Sequence, residues 1–407
     1  VDVTPTLLAL AGRPIPPGLD GASLWPIGPD RCDRTSYSES FLPFFSYKWY
    51  PLRAISNDRF LYVQGPTANL YDLRSSAGES KDLAPSQTKA AKTWKDRLVS
   101  ELKRMGETLE GSFRPENQLS AEEEKKLASL GYVSGGTGGQ VAANLPDPRQ
   151  MTDVASFLHK TAEEVQQGRC QKALPDLEAV ARRDPHNFPA LTLTAHCFRE
   201  TGKLDTALSV YRRAAIENPL SAIPLSNIGG ILLTQNKKAE AEREFRRALV
   251  LDPSLSEAAS NLARLLRTRG ERAAGLEILV KAHAEGAQSA DLFLERGLNE
   301  AEGGDLTSAL KSFRESARRD PANAVPLDNA ARAAFQLRRT QESAQLYEQL
   351  LRIAPSRLDV WKTLGAIYLY ELGDKEAADR CFRRALTMEV DPAERQQLLE
   401  ALAEAGG

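Results

Sequence analysis

Five prolines in the C-terminal half fall on one ruler: Pro185, Pro219, Pro253, Pro321 and Pro355 are separated by 34, 34, 68 and 34 residues. A fixed period of this length constrains the fold more than any compositional figure. It marks a supersecondary unit that cannot bury its apolar face alone and must stack against copies of itself. One rung is missing, at Ala287, although the neighbouring columns keep their register. The step from Pro355 to Pro392 is 37, so the last unit carries three extra residues. They are expected at the inter-helix turn near Leu372-Gly373-Asp374.

Four columns run through the same register. Gly168, Gly202, Asn236, Gly270, Gly304 and Arg338 share a turn position, and all but Arg338 are Gly or Asn, the residues that tolerate the left-handed backbone closing a helix. Ala195, Gly229, Ala263, Gly297, Ala331 and Gly365 form a small-residue column that lets the two helices of one unit approach closely. Ala173, Ala207, Ala241, Gly275, Ala309 and Ser343 form a second. Leu177, Tyr211, Phe245, Leu279, Phe313, Tyr347 and then Phe382 are the large apolar knobs between them. Small and large columns at this spacing resemble the tetratricopeptide repeat (TPR). The resemblance covers residues 154–394 as about seven helix pairs, with 395–407 as a capping helix over the open end. It implies a mainly α protein, an α-solenoid wound as a right-handed superhelix whose first helices line a concave groove.

The bulk figures exclude several function classes. Net charge is −2 and the charged fraction 27%, which leaves no basic surplus for nucleic acid. Cys32, Cys170, Cys197 and Cys381 lack CxxC spacing, and His159, His186, His196 and His283 lack HxxxH or HExxH spacing, so no metal site is expected. The cysteines read as buried free thiols. No apolar run reaches the ~20 residues of a membrane span. The chain begins Val1-Asp2-Val3 without methionine, so a natural N-terminus upstream is expected and the compartment is left open.

The first third differs in texture. Val3 to Gly12 reads as a short helix, Pro14 to Gly21 as a loop, and Thr35 to Phe45 as a stretch of aromatic and hydroxyl residues. Leu52–Ser56, Asn57-Asp58 and Arg59–Val63 read as strand, turn and strand, with Leu70–Leu73 as a third strand. Lys89–Met105 is an amphipathic helix with Trp94, Leu98 and Leu102 four residues apart. Ser120-Ala121-Glu122-Glu123 opens another helix with a capping box. Ser134 to Gly139 is a flexible linker by composition. The expected organisation is 1–133, then a linker over 134–153, then the array.

In this order, "VDVTPTLLALAG", "PPGLDGASL", "LRAISNDRFLYV" and "NLYDLRSSAGESKDLA" resemble the C-terminal portion of sulfatases of the alkaline-phosphatase superfamily. Tyr37 to Arg53 and Leu127–Val133 are similar to the bacterial subset that carries helical repeats. The resemblance implies a small α+β subdomain, an antiparallel sheet with a helix, that packs beside a catalytic domain. It also implies a divalent cation such as calcium in that domain. The C/S-x-P-x-R motif of the nucleophile is absent, since Cys32 is followed by Asp33, Arg34, Thr35 and Ser36. No catalytic or metal-binding residue is therefore expected here, and Glu39, Lys48 and Arg53 read as interface residues. Without its catalytic partner the apolar face of Leu7, Leu8, Phe41, Phe44, Phe45 and Trp49 is expected to be left uncovered.

Function should then lie in the groove. Asn227, Asn261, Glu295 and Asn329 recur at 34-residue spacing on the first helices. An amide both donates and accepts, so Asn227, Asn261 and Asn329 can pair with the backbone of an extended peptide. Arg264, Arg267 and Arg332 from the same helices add positive charge suited to a carboxylate. Trp361, Tyr368 and Tyr370 are expected to be mainly core. The Arg pairs ending the second helices, such as Arg246-Arg247 and Arg318-Arg319, read as solvated cations at negative helix ends. The chain is thus expected to be a non-catalytic peptide- or protein-binding scaffold. The alternative is the C-terminal part of an active metal-dependent sulfuric-ester hydrolase whose catalytic domain lies upstream.

Overall fold

The computed structural model describes residues 8–9, 11, 13–14, 35–40, 42–109, 145–388 and 390–406. Of the helix expected at 3–12 only Leu8 and Ala9 are described as helical. The readings for Pro14–Gly21, Cys32, the helix from Ser120 and the Gly-rich run 134–139 lie almost wholly outside these residues. The chain forms two compact units, Val1–Cys197 and Phe198–Gly407.

In the first unit, Ser36–Ser40 (β1), Leu52–Ser56 (β2), Phe60–Gln64 (β3) and Asn69–Asp72 (β4) form an antiparallel meander in the order β1-β2-β3-β4. The Asn57 side chain closes the β2–β3 turn by accepting from the backbone N–H groups of Arg59 (3.0 Å) and Phe60 (2.7 Å). The register stacks Tyr37, Ile55, Tyr62 and Leu70 across one face. On that face Ile55, Tyr62 and Leu70 share a core with Trp94, Leu98 and Leu102 of the helix Thr88–Arg104 (α2). The four-residue spacing of those three side chains is what makes α2 present one apolar stripe. Strand β1 was not expected, because three of its five residues are serines and it carries no apolar alternation. A short helix, Leu42–Tyr47 (α1), joins it to β2. Of the residues read as interface, Arg53 is buried and pairs with Glu107 at 3.0 Å, while Glu39 accepts from the Tyr37 hydroxyl at 2.6 Å.

For Trp49 the expectation of an uncovered apolar face is corrected; Leu7, Phe41 and the Phe45 side chain lie outside the described residues. Trp49 is 2% exposed and packs in one core with Met151 and with Val154, Leu158 and Val180 of the first helix pair, Thr152–Gln166 (α3) and Cys170–Arg183 (α4). Tyr47 stacks on it at 4.4 Å, and its indole Nε1 donates to Asp184 Oδ2 at 2.7 Å. The Asp184 carboxylate also accepts from Asn187 Nδ2 at 3.0 Å. Nearby, Tyr50 N donates to Pro146 O at 2.8 Å, and Arg149 binds Asp147 and the Thr67 carbonyl. Residues 148–153, placed in the expected linker, comprise a 3-10 turn over Pro148–Gln150 and the first turn of α3, which opens at Thr152.

Helix Phe188–Glu200 (α5) follows α4. The second unit continues with Leu204–Glu217 (α6), Ala222–Thr234 (α7), Lys238–Leu251 (α8), Ser256–Thr268 (α9), Arg272–Ala284 (α10), Ala290–Glu302 (α11) and Leu306–Arg319 (α12). It ends with Ala324–Gln336 (α13), Thr340–Ile353 (α14), Leu358–Ala366 (α15), Lys375–Leu386 (α16) and Pro392–Gly406 (α17). Helices α3 and α4 pair in the first unit, and α7 to α16 make five pairs in the second. The turn column is left-handed throughout, with φ of 73° at Gly168, 59° at Asn236 and 58° even at Arg338. The small column is sized to its neighbour. A Cβ built on Gly229, Gly297 or Gly365 would lie 2.6 Å from the ring of Phe245, Phe313 or Phe382. Ala263 and Ala331 occupy the same position in the repeats whose knobs are Leu279 and Tyr347. Leu398 and Ala405 of α17 join the last core, as a cap should.

The three extra residues of the last repeat are not all at its inter-helix turn. Helix α15 continues as a π turn, Ile367–Leu372, before Gly373 takes φ 69°. The left-handed residue moves from Arg338 to Gly373, 35 positions, so one insertion is absorbed inside the helix. The other two are only apparent: each ladder proline precedes its helix by three residues, whereas Pro392 itself opens α17, 34 positions after Leu358 opens α15.

Candidate peptide groove

Helices α7, α9, α11, α13 and α15 are the first helices of successive repeats, and the asparagine column sits at one position on each. Asn227 is 8% exposed. Its Nδ2 donates to the Ile223 carbonyl one turn back (2.9 Å), and its Oδ1 accepts from Arg199 Nη1 (2.6 Å). An amide has two N–H donors and two acceptor lone pairs, so one of each remains. Asn329 Nδ2 bonds the Val325 carbonyl in the same way, at 3.0 Å. The Asn261 carbonyl accepts from Arg264. The bond to the carbonyl four residues back fixes the rotamer and leaves the rest of the amide available.

Glu295 replaces asparagine in the third rung and is 6% exposed. Arg267 reaches it at 3.4 Å and Arg264 at 3.8 Å, while Arg267 also pairs with Glu302. Burial raises the Glu295 carboxyl above its ordinary value, and the two arginines oppose that shift. Arg332 pairs with Asp328 at 3.1 Å, and Asp328 also accepts from Arg357 at 3.4 Å. The charge of Arg264, Arg267 and Arg332 is therefore answered inside the array.

Arg199 was missed in the sequence, and its signal was there. Arg199 and Arg267 are 68 residues apart, two periods, as are their partners Asn227 and Glu295. Each arginine reaches forward 28 residues to the column position of the next first helix.

A cavity of about 310 Å³ opens beside the last rung, lined by Arg332, Phe335, Tyr347, Thr363, Tyr370 and Glu371 among others. The aromatic run expected to be core divides here. Tyr368 is buried and donates to Glu348 at 2.7 Å, Trp361 is half-buried, and Tyr370 is 60% exposed. Beyond the groove, Arg246, Arg247, Arg318 and Arg383 each pair with a carboxylate three or four residues back on their own helix. Cys170, Cys197 and Cys381 are buried, and burial pushes the Cys381 thiol up to about 12. No helix among the described residues is long and apolar enough to cross a membrane.

Two family descriptions, both tetratricopeptide repeat, match residues 163–222 and 294–357 and residues 358–389. The chain carries a tetratricopeptide repeat array. The array is a protein-interaction scaffold in kind. No curated protein matches the chain. Among solved structures, it is similar to YrrB, "a TPR protein with an unusual peptide-binding site", at 19% identity and TM-score 0.40, over 47% of this chain and 96% of that one. It is similar to Pseudomonas aeruginosa PilF at 22% identity and TM-score 0.45, over 51% and 94%. The type IV pilus biogenesis factor PilW matches at 22% identity and TM-score 0.44, over 52% and 97%. The family matches speak to the repeats and do not extend to residues 35–109.

Proposed function

We propose that the chain is a non-catalytic scaffold that holds a protein segment in extended form along its first helices, at Asn227, Asn261 and Asn329. The observation that carries this reading is the amide column itself. Asn227 and Asn329 are braced by their own helix one turn back, and each keeps hydrogen-bonding capacity for a backbone running across the repeats. Arg264, Arg267 and Arg332 brace the column, since their charge is met by Glu295, Glu302 and Asp328. In peptides selected from a random display library on the whole chain, replacing Asn227, Asn261 and Asn329 together with Ala should abolish capture and leave helicity intact. Unchanged capture would refute the reading.

The αβ part supports a second reading for the larger gene product. A four-stranded antiparallel sheet with a helix on one face is the arrangement implied by the sulfatase resemblance. On that reading the array follows the tail of a metal-dependent sulfuric-ester hydrolase whose catalytic domain, with its divalent cation, lies upstream. This chain should not hydrolyse an aryl sulfate in the presence of calcium, whereas coding sequence upstream of Val1 should contain C/S-x-P-x-R. Metal-dependent turnover by this chain, or a coding sequence without that motif, would count against it.

A further inference from the structure

The π turn builds a pocket that the sequence columns do not announce. Inserting one residue into a helix rotates everything beyond it by about 100° relative to the preceding repeats. Tyr370 follows the start of that turn, is 60% exposed, and donates its hydroxyl to Glu404 of α17 at 2.9 Å. Held by that bond, Tyr370 lines the 310 Å³ cavity together with Phe335 and Tyr347. The charges around the rim are unequal. Arg332 is paired with Asp328 and reaches the Tyr347 hydroxyl. Glu371 lines the same cavity and is exposed, and its carboxylate makes no hydrogen bond or ion pair with the described residues. Thr363, one period after Asn329, stands on the cavity wall, so the pocket continues the amide column.

We infer that this pocket takes a lysine or arginine side chain of the bound segment, its methylenes against Phe335, Ile367 and Tyr370 and its cationic head at Glu371. Three aromatic walls with an unanswered carboxylate favour a long cationic side chain over an apolar or acidic one, since ring faces attract cations and the methylene stem covers apolar surface. The inference rests on the groove reading and adds a residue preference to it.

The test uses fluorescein-labelled nonapeptides of Gly, Ser and Ala with one central guest residue, titrated against the whole chain by anisotropy. Arginine and lysine guests should bind about tenfold tighter than norleucine, combining one cation–π contact and one ion pair, and a glutamate guest should bind weakest. Glu371→Gln should cut the cationic preference below about twofold while leaving the norleucine peptide unchanged. Tyr370→Leu should weaken the cationic guests and spare circular dichroism. Equal binding of all guests, with binding still lost in the triple asparagine variant, overturns the pocket and leaves the groove reading standing. Binding by none of the guests overturns both.

Discussion

Replacing Gly297 by Ala tests whether the small column is sized to its neighbour. The new methyl would sit 2.6 Å from Cδ1 and Cε1 of Phe313 and 3.1 Å from its Cγ. Carbon atoms prefer about 3.5–4.0 Å, so the ring must retreat by roughly an ångström. Phe313 is 1% exposed in a core with Leu310 and Leu327 and has nowhere free to go. Such overpacking costs about 1–3 kcal/mol, and Ala returns up to about 1 kcal/mol of helix propensity, for a net loss of about 1–2 kcal/mol. The neighbouring repeat supplies the control, because Ala263 and Leu279 occupy the equivalent positions there. Phe313→Leu alone should cost about 1 kcal/mol, and the double variant should be less destabilised than the sum by about 1–2 kcal/mol. The assay is urea unfolding, with hydrogen exchange of α11 and α12 to localise the loss, since repeat arrays need not unfold in one step. Additive effects, or a stabilised Gly297→Ala, would refute the sizing argument.

Trp49→Phe keeps a ring in the first-pair core but deletes the donor to Asp184, a hydrogen bond to a charged group worth about 1.5–3 kcal/mol. Exchange protection of α3 and α4 should fall, and unchanged protection would mean the indole does not brace that pair. Arg338→Gly relieves a left-handed residue at φ 58° and should stabilise by about 1 kcal/mol in thermal unfolding; a lower midpoint would contradict it. The Glu295 carboxyl is raised above its ordinary 4.5 by burial, with Arg267 and Arg264 opposing. In the window above 4.5 the folded state then binds more protons than the unfolded one, so this group's contribution to stability falls as pH rises through its folded value. Glu295→Gln should remove that slope from denaturation midpoints measured between pH 4 and about 8, and an unchanged slope would sink the assignment.

The repeat register was legible because each column answers one local demand. A left-handed turn needs Gly or Asn, and a close helix crossing needs a small residue. Even Arg338, the exception by type, holds the turn geometry. Two features were not legible. An extra residue in the last repeat looks the same in sequence whether a turn or a helix absorbs it, and only the backbone shows the π turn at Ile367–Leu372. Trp49 pairs with Asp184 across 135 residues, a long-range contact outside any periodicity. At the groove, the period located the asparagines but not their local bonds. The compensation of Arg264 and Arg267 by Glu295 depends on which side chains face each other between repeats.

The most direct measurement maps where a captured peptide lies. A peptide selected on the whole chain, carrying a benzophenone and irradiated in the complex, can be located by mass spectrometry of the cross-linked fragments. The account predicts adducts on the first helices, within 222–234, 256–268, 324–336 and 358–372. Adducts confined to the second helices, such as 306–319 or 340–353, would contradict it.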